Sequence, residues 1–115
     1  MTEMKKIEAI IRNKMFPNVK DALESIGISS MTVAHVEGRG KQKGVVQQWR
    51  GRTYSVDLIP KIKIEMVVPD KDVEKLVEVI KTSAATGTIG DGKIFVSPVE
   101  SAIRIRTGDK DESAL

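Results

Sequence analysis

The segment Gly87-Thr88-Ile89-Gly90-Asp91-Gly92-Lys93 holds the residue types best suited to chemistry in this chain. Glycines let backbone N–H groups approach an anion closely, and a neighbouring lysine can pair with its charge. The pattern nearly spells the phosphate loop of nucleotide-hydrolysing enzymes, then departs from it. Ile94 stands where a Mg2+-binding Ser or Thr is needed, and the following residues read as a strand rather than a helix. A P-loop NTPase is therefore not expected. A plain glycine turn is one reading, since glycine clusters punctuate turns. A phosphate cradle of another kind is the other, and the lysine favours it.

Arg104 and Arg106 alternate with Ile103 and Ile105. The piece reads as extended, so both guanidiniums leave it on one side, and two forked donors suit a polyphosphate. A solvated strand face is the plainer alternative, and it weakens if the glycine loop lies nearby. Lys61 could meet a ligand carboxylate, and Gln42 could ligate a metal or hydrogen-bond a ligand. On pattern alone neither rises above loop polarity. Lys63 and Glu65 read as surface charge. His35 is the single histidine and has no Cys, Asp or Glu at ligand spacing, so it reads as an ordinary strand residue. No Ser-His-Asp set or carboxylate pair with acid/base logic can be assembled, so hydrolytic catalysis lacks its parts.

Residues 38–56 carry Arg39, Lys41, Lys43, Arg50 and Arg52 and no acid, against a net charge of +3 for all 115 residues. The remainder is close to neutral, so the chain is a neutral body with one basic appendage. Trp49, Arg50 and Tyr54 in that stretch are typical interface anchors. A basic, aromatic-tipped nucleic-acid arm fits the same composition.

These residues need a scaffold. The length allows one domain over 1–115. Aromatics make up 3% of residues, so the core must be aliphatic, and with no cysteine there are no disulfides. Ile7, Ala9 and Ile11 alternate as in a half-buried strand. Pro17 opens a helix whose stripe is Val19, Ala22, Leu23 and Ile26, and Gly27 stops it in a left-handed turn. Met31 to Val36 reads as a second strand. The figure then repeats: a strand with Ile62, Ile64, Met66 and Val68, a turn and N-cap at Pro69-Asp70, and a helical stripe of Val73, Leu76, Val77 and Ile80. Ile94-Phe95-Val96 forms the fourth strand.

Two β-α-β halves predict an α+β fold, the ferredoxin-like βαββαβ sandwich. The stretch between strands two and three shows no periodicity, and a connection of that length is expected to be functional. Gly108 to Leu115 is polar and is expected to take order from something else. The N-terminal residues lack the apolar run of a signal peptide, and no stretch approaches transmembrane length, so a cytoplasmic location without membrane insertion is expected.

Three groups of motifs resemble the PII nitrogen-regulatory signal-transduction family. Gly40-Lys41-Gln42-Lys43-Gly44, Arg50-Gly51 through Tyr54, and Val56 through Lys61 are similar to its T-loop and borders (38–56). Thr86 to Val96 resembles its B-loop (86–93) and the strand that follows. Ile103 to Gly108 resembles its C-terminal signature, within a terminal segment of 104–115. The resemblance covers nearly the whole chain.

It implies a non-catalytic homotrimer that binds ATP or ADP, Mg2+ and 2-oxoglutarate in clefts between subunits. By matching position, Gly90, Asp91, Gly92, Lys93, Arg104 and Arg106 would hold the phosphates. Ile10, Thr32, Gly38, Arg39, Gly40, Lys41, Gln42, Glu65 and Val67 complete the nucleotide set. Gln42 would ligate Mg2+ beside the phosphates and 2-oxoglutarate, which Lys43, Gly44 and Lys61 would also contact. Trp49, Arg50 and Tyr54 would dock partners, an ammonium transporter at its cytoplasmic face or a nitrogen-assimilation enzyme.

Some positions depart from the family pattern. Ser29-Ser30 precedes Met31 where a glycine is common, and Trp49 stands where a tyrosine is common. Tyr54 matches a tyrosine that some members carry as a uridylylation or adenylylation site. Arg52 replaces the serine phosphorylated in cyanobacterial relatives. The rival RNA-binding module shares the βαββαβ order but stacks bases on aromatics of its first and third strands. Those strands have none here, so nucleic acid is not an expected partner.

Overall fold

The structure is a computed structural model that describes residues 3–39 and 58–115 in full and the backbone of 45–49 and 52–56. Chain order is β1 (Met4–Arg12), α1 (Phe16–Ser25), β2 (Thr32–Gly38), β3 (Val45–Trp49), β4 (Arg52–Val56), β5 (Ile59–Pro69), α2 (Val73–Ala84) and β6 (Gly92–Val99). Strands β2-β5-β1-β6 form one antiparallel sheet. With the two helices this is the expected βαββαβ sandwich.

Period decides which face is buried. Ile7, Ala9 and Ile11 of β1 and Ile62, Ile64, Met66 and Val68 of β5 point to the helices and are buried. Val19 and Leu23 of α1 and Leu76, Ile80 and Ala84 of α2 close the core over them. At about 25 cal/mol per Å2 of apolar surface removed from water, this aliphatic layer supplies most of the driving force for folding. Gly27 ends α1 at φ +87°. Its N–H reaches the Glu24 carbonyl at 3.0 Å, and the Ile28 N–H reaches that of Leu23 at 2.9 Å, which makes a Schellman cap.

Four expectations are corrected. The stretch read as lacking periodicity contains β3 and β4, paired antiparallel from Val45↔Val56 to Trp49↔Arg52. Main-chain hydrogen bonds build such a ladder without an apolar stripe to announce it. Asp70 is not an N-cap. Its N–H continues the sheet by bonding the Glu3 carbonyl at 2.8 Å, and a 3-10 turn, Asp70–Asp72, leads into α2 without a side-chain cap.

The piece from Ile103 to Arg106 is not a strand: only Ile103 makes a bridge, to Lys110, and the chain turns through 105–107. Strand alternation therefore does not place Arg104 and Arg106 on one face. The tail, expected to lack order of its own, folds back on this segment. The Arg104 N–H bonds the Asp109 carbonyl and the Asp111 N–H bonds that of Ala102, at 2.8 and 2.7 Å, ahead of a 3-10 turn at Asp111–Ala114.

Candidate functional site

Among the described residues, the two helices pack on one face of the sheet, and the opposite face is left open. Register makes its rows explicit. Lys6 pairs with Val67 and Ser97; Glu8 pairs with Glu65 and Phe95, with Thr32 beyond Glu65. Ile10 pairs with Lys63 and Lys93, and Arg12 pairs with Lys61. Cross-strand partners share a face, so Ile10, Thr32, Lys61, Glu65, Val67 and Lys93, scattered in sequence, all belong to this one surface.

Its charges are balanced locally. Lys63 lies 3.5 Å from Glu8 and 3.3 Å from Glu65, and it sits between two carboxylates that would otherwise face each other across the strands. The hydrogen bond from Lys63 holds the Glu65 carboxyl below its usual range, and the same bond raises Lys63. Lys61, two residues earlier, behaves oppositely. It is 8% exposed and donates to the Gly90 carbonyl. Burial, then the nearby Arg12 cation, pushes its amine below the ordinary lysine value.

Over the end of this face lies the glycine loop. Gly87, Gly90 and Gly92 hold φ of +84°, +100° and +106°, a region L side chains rarely enter. Asp91 is the centre of the loop. Oδ2 accepts the N–H groups of Thr86 and Gly87 at 2.8 and 2.9 Å, and Oδ1 accepts the Thr86 hydroxyl and, at 3.0 Å, Arg12 Nε. Led by the Thr86 hydroxyl, these bonds hold the Asp91 carboxyl far below the usual carboxylate range.

Arg12 adds two more bonds, from Nη2 to the Thr88 hydroxyl at 2.9 Å and to the Ile89 carbonyl at 2.6 Å. Sequence reasoning did not single out Arg12. The available signal was its parity with Lys6, Glu8 and Ile10, which puts it on the open face at the end of β1.

A cleft of about 730 Å3 opens between the loop and the sheet, lined by Ile10, Gly38, Arg39, Ile59, Lys61, Ile89, Gly90, Gly92, Lys93 and Phe95. Six of the expected nucleotide residues (Ile10, Gly38, Arg39, Gly90, Gly92 and Lys93) and the expected 2-oxoglutarate residue Lys61 meet there. Asp91 sits within the same loop with its carboxylate turned to Thr86, Gly87 and Arg12. Thr32, Glu65 and Val67 lie further along the open face, outside the cleft lining. Arg104 and Arg106 do not line it either; Arg104 Nη2 donates to the Leu115 carbonyl at 3.2 Å. Gly40, Lys41, Gln42, Lys43, Gly44 and Arg50 lie outside the described residues, as do the side chains of Trp49 and Tyr54. Among the described residues no cluster of His, Cys, Asp or Glu could hold a metal ion by itself, and no helix is long and apolar enough to cross a membrane.

Comparison with known proteins bears on this surface. A family model described as nitrogen regulatory protein P-II matches residues 4–109. Nitrogen regulatory protein P-II 2 of Methanothermobacter thermautotrophicus is 53% identical over 115 residues, all of both chains. Nitrogen regulatory protein P-II 1 of Escherichia coli strain K12 is 52% identical over 112 residues, 97% of this chain and 100% of that one. Among solved structures, Arabidopsis thaliana PII bound to citrate superposes with a TM-score of 0.80 at 38% identity, covering 99% of this chain and 94% of that one. The open sheet face, the glycine loop and the basic connection are thus parts of a regulator rather than of an enzyme, and the chain belongs to the nitrogen regulatory protein P-II family.

Proposed function

We propose that the chain senses adenine nucleotides and 2-oxoglutarate in clefts between the subunits of a homotrimer and reports through the 38–56 loop. The observation that carries this reading is the register. It gathers Ile10, Thr32, Lys61, Glu65, Val67 and Lys93 on one open face, beside a loop of left-handed glycines whose N–H groups suit phosphate. Base and ribose would lie against Ile10, Thr32, Glu65 and Val67. The phosphates would meet the amides of Gly90, Asp91 and Gly92 with Lys93.

Asp91 contributes its N–H, because its carboxylate is committed to Thr86, Gly87 and Arg12. Mg2+ would be held by Gln42 with the phosphates and 2-oxoglutarate, which Lys43, Gly44 and Lys61 would also contact. The carboxylate-rich citrate in the Arabidopsis relative supports an organic-acid effector.

Trimer formation would bring Arg104 and Arg106 of one subunit to the loop of its neighbour, since neither reaches the cleft of its own chain. It would also cover apolar side chains the single chain leaves in water, among them Phe95, Ile103 and the fully exposed Ile105. ATP with Mg2+ and 2-oxoglutarate would favour one arrangement of the loop and ADP another, and partner affinity would follow the difference. The partner would be an ammonium transporter at its cytoplasmic face, with Arg50 entering the pore, or a nitrogen-assimilation enzyme.

Calorimetric titration of ATP with Mg2+, with and without 2-oxoglutarate and repeated with ADP, tests this. ATP binding strengthened by 2-oxoglutarate, with ADP binding indifferent to it, is expected. Absence of nucleotide binding would return the glycine loop to a simple turn.

A further inference from the structure

Two successive carbonyls of the glycine loop are held by cations from neighbouring strands. Arg12 Nη2 takes that of Ile89 at 2.6 Å, and Lys61 takes that of Gly90. Arg12 and Lys61 are themselves cross-strand partners on the open face. In a trans peptide unit the C=O and N–H point in opposite directions. Drawing these carbonyls toward the β1–β5 end therefore turns the N–H groups of Gly90 and Asp91 the other way. Arg12 fixes the rest of the loop as well, through Asp91 Oδ1 and the Thr88 hydroxyl. Its side chain is 17% exposed, so it works from inside the loop.

We infer that Arg12 is the positioning residue of the anion cradle: its forked guanidinium holds the Ile89 carbonyl and Asp91 so that the loop amides are oriented before any ligand arrives. This rests on the proposed nucleotide reading for what the cradle binds, but not for how the cradle is shaped. The planar guanidinium serves acceptors on Thr88, Ile89 and Asp91 at once. A lysine would keep the charge without that geometry.

The test uses the full chain as wild type, Arg12→Lys, Arg12→Gln and Lys14→Gln. Lys14 is an exposed neighbour whose loss controls for charge alone. Hydrogen exchange without ligand should speed up by about tenfold or more in Arg12→Gln at the Thr86 and Gly87 amides, which Asp91 Oδ2 accepts, as expected when the charge-assisted hydrogen bond holding Asp91 is lost. Exchange in β1 and β5 should stay unchanged. Arg12→Lys should fall between Arg12→Gln and wild type, and the Asp91 carboxyl should titrate at higher pH in Arg12→Gln. ATP affinity should decline in the same order, with Lys14→Gln equal to wild type.

Unchanged loop exchange in Arg12→Gln overturns the inference, and so does faster exchange with ATP affinity preserved. A wild type that binds no ATP overturns the proposed function instead, and the exchange data then still decide whether Arg12 shapes the loop.

Discussion

Gly92 lies against the backbone of Ile10 so closely that a Cβ on it would sit 1.7 Å from the Ile10 carbonyl oxygen. The contact is the point where β6 leaves the glycine loop and joins β1, and both of its sides are main chain. Neither can step aside as a flexible side chain would.

Gly92→Ala should therefore cost more than the about 1–2 kcal/mol that left-handed backbone alone imposes on an L residue. Gly87 provides the comparison. It too has a positive φ, +84°, but a Cβ there meets nothing within 4 Å. Urea denaturation of the two variants should show a modest loss for Gly87→Ala and a clearly larger one for Gly92→Ala. Equal losses would mean that the β1–β6 crossing yields more easily than its geometry indicates.

Asp91 should make the loop sensitive to acid. Its carboxyl is depressed in the folded chain, chiefly by the Thr86 hydroxyl and N–H, then by Arg12. A group depressed on folding lends stability that is fully present above its unfolded pKa, about 3.9 for an aspartate. That stability fades as pH falls through the lower folded value. Asp91→Asn should consequently be less stable than wild type at neutral pH, and the gap should narrow below about pH 4. Thermal melts between neutral and acid pH measure this. A gap that stays constant on acidification would show that the carboxylate charge is not what the loop uses.

Lys61 and Lys63 should titrate in opposite directions although they are two residues apart on one face of one strand. Lys61 is lowered by burial and by Arg12; Lys63 is raised by its bond to Glu65 and by the charges of Glu65 and Glu8. Nitrogen-detected NMR of the two ammonium groups should find Lys61 losing its proton below the usual lysine value of about 10.4 and Lys63 above it. The linkage has matching signs. As pH rises through the folded pKa of Lys61 toward the ordinary value, that site adds stability, because the unfolded chain binds more proton there. The Lys63 contribution is present below the ordinary value and is lost as pH climbs through its own raised pKa.

The helices and central strands were legible because burial imposes period. Val19 with Leu23, and Leu76 with Ile80, mark one face at helical spacing, while Ile62, Ile64, Met66 and Val68 mark one face at strand spacing. Gly27 was legible because the cap needs a positive φ. The glycine loop could be read as an anion cradle from composition, but not its construction. Arg12 reaches residues 76 to 79 positions away, and no local pattern announces a contact that depends on the β1–β6 register. Lys61 read only as a cation that could meet a ligand carboxylate; its burial at 8% exposed and its bond to the Gly90 carbonyl depend on where the glycine loop folds. The β3–β4 ladder and the tail bridge from Ile103 to Lys110 were missed for one shared reason: main-chain pairing by itself leaves no apolar stripe in the sequence.

Folding and assembly should separate in two variants. Ile80 is fully buried where α2 meets the sheet, and Ile80→Ala should cost about 2–5 kcal/mol through lost transfer energy and a cavity. Phe95 lies on the opposite, open face, 48% exposed beside Glu8. In the single chain Phe95→Ser leaves the core under the helices untouched, so secondary structure by circular dichroism should match wild type. If copies of the chain associate through the open face, the same substitution should weaken association in sedimentation velocity, and Ile80→Ala should affect it only through unfolding. Phe95→Ser sedimenting as wild type at every concentration would move the subunit contact away from this face, and the inter-subunit nucleotide cleft would have to move with it.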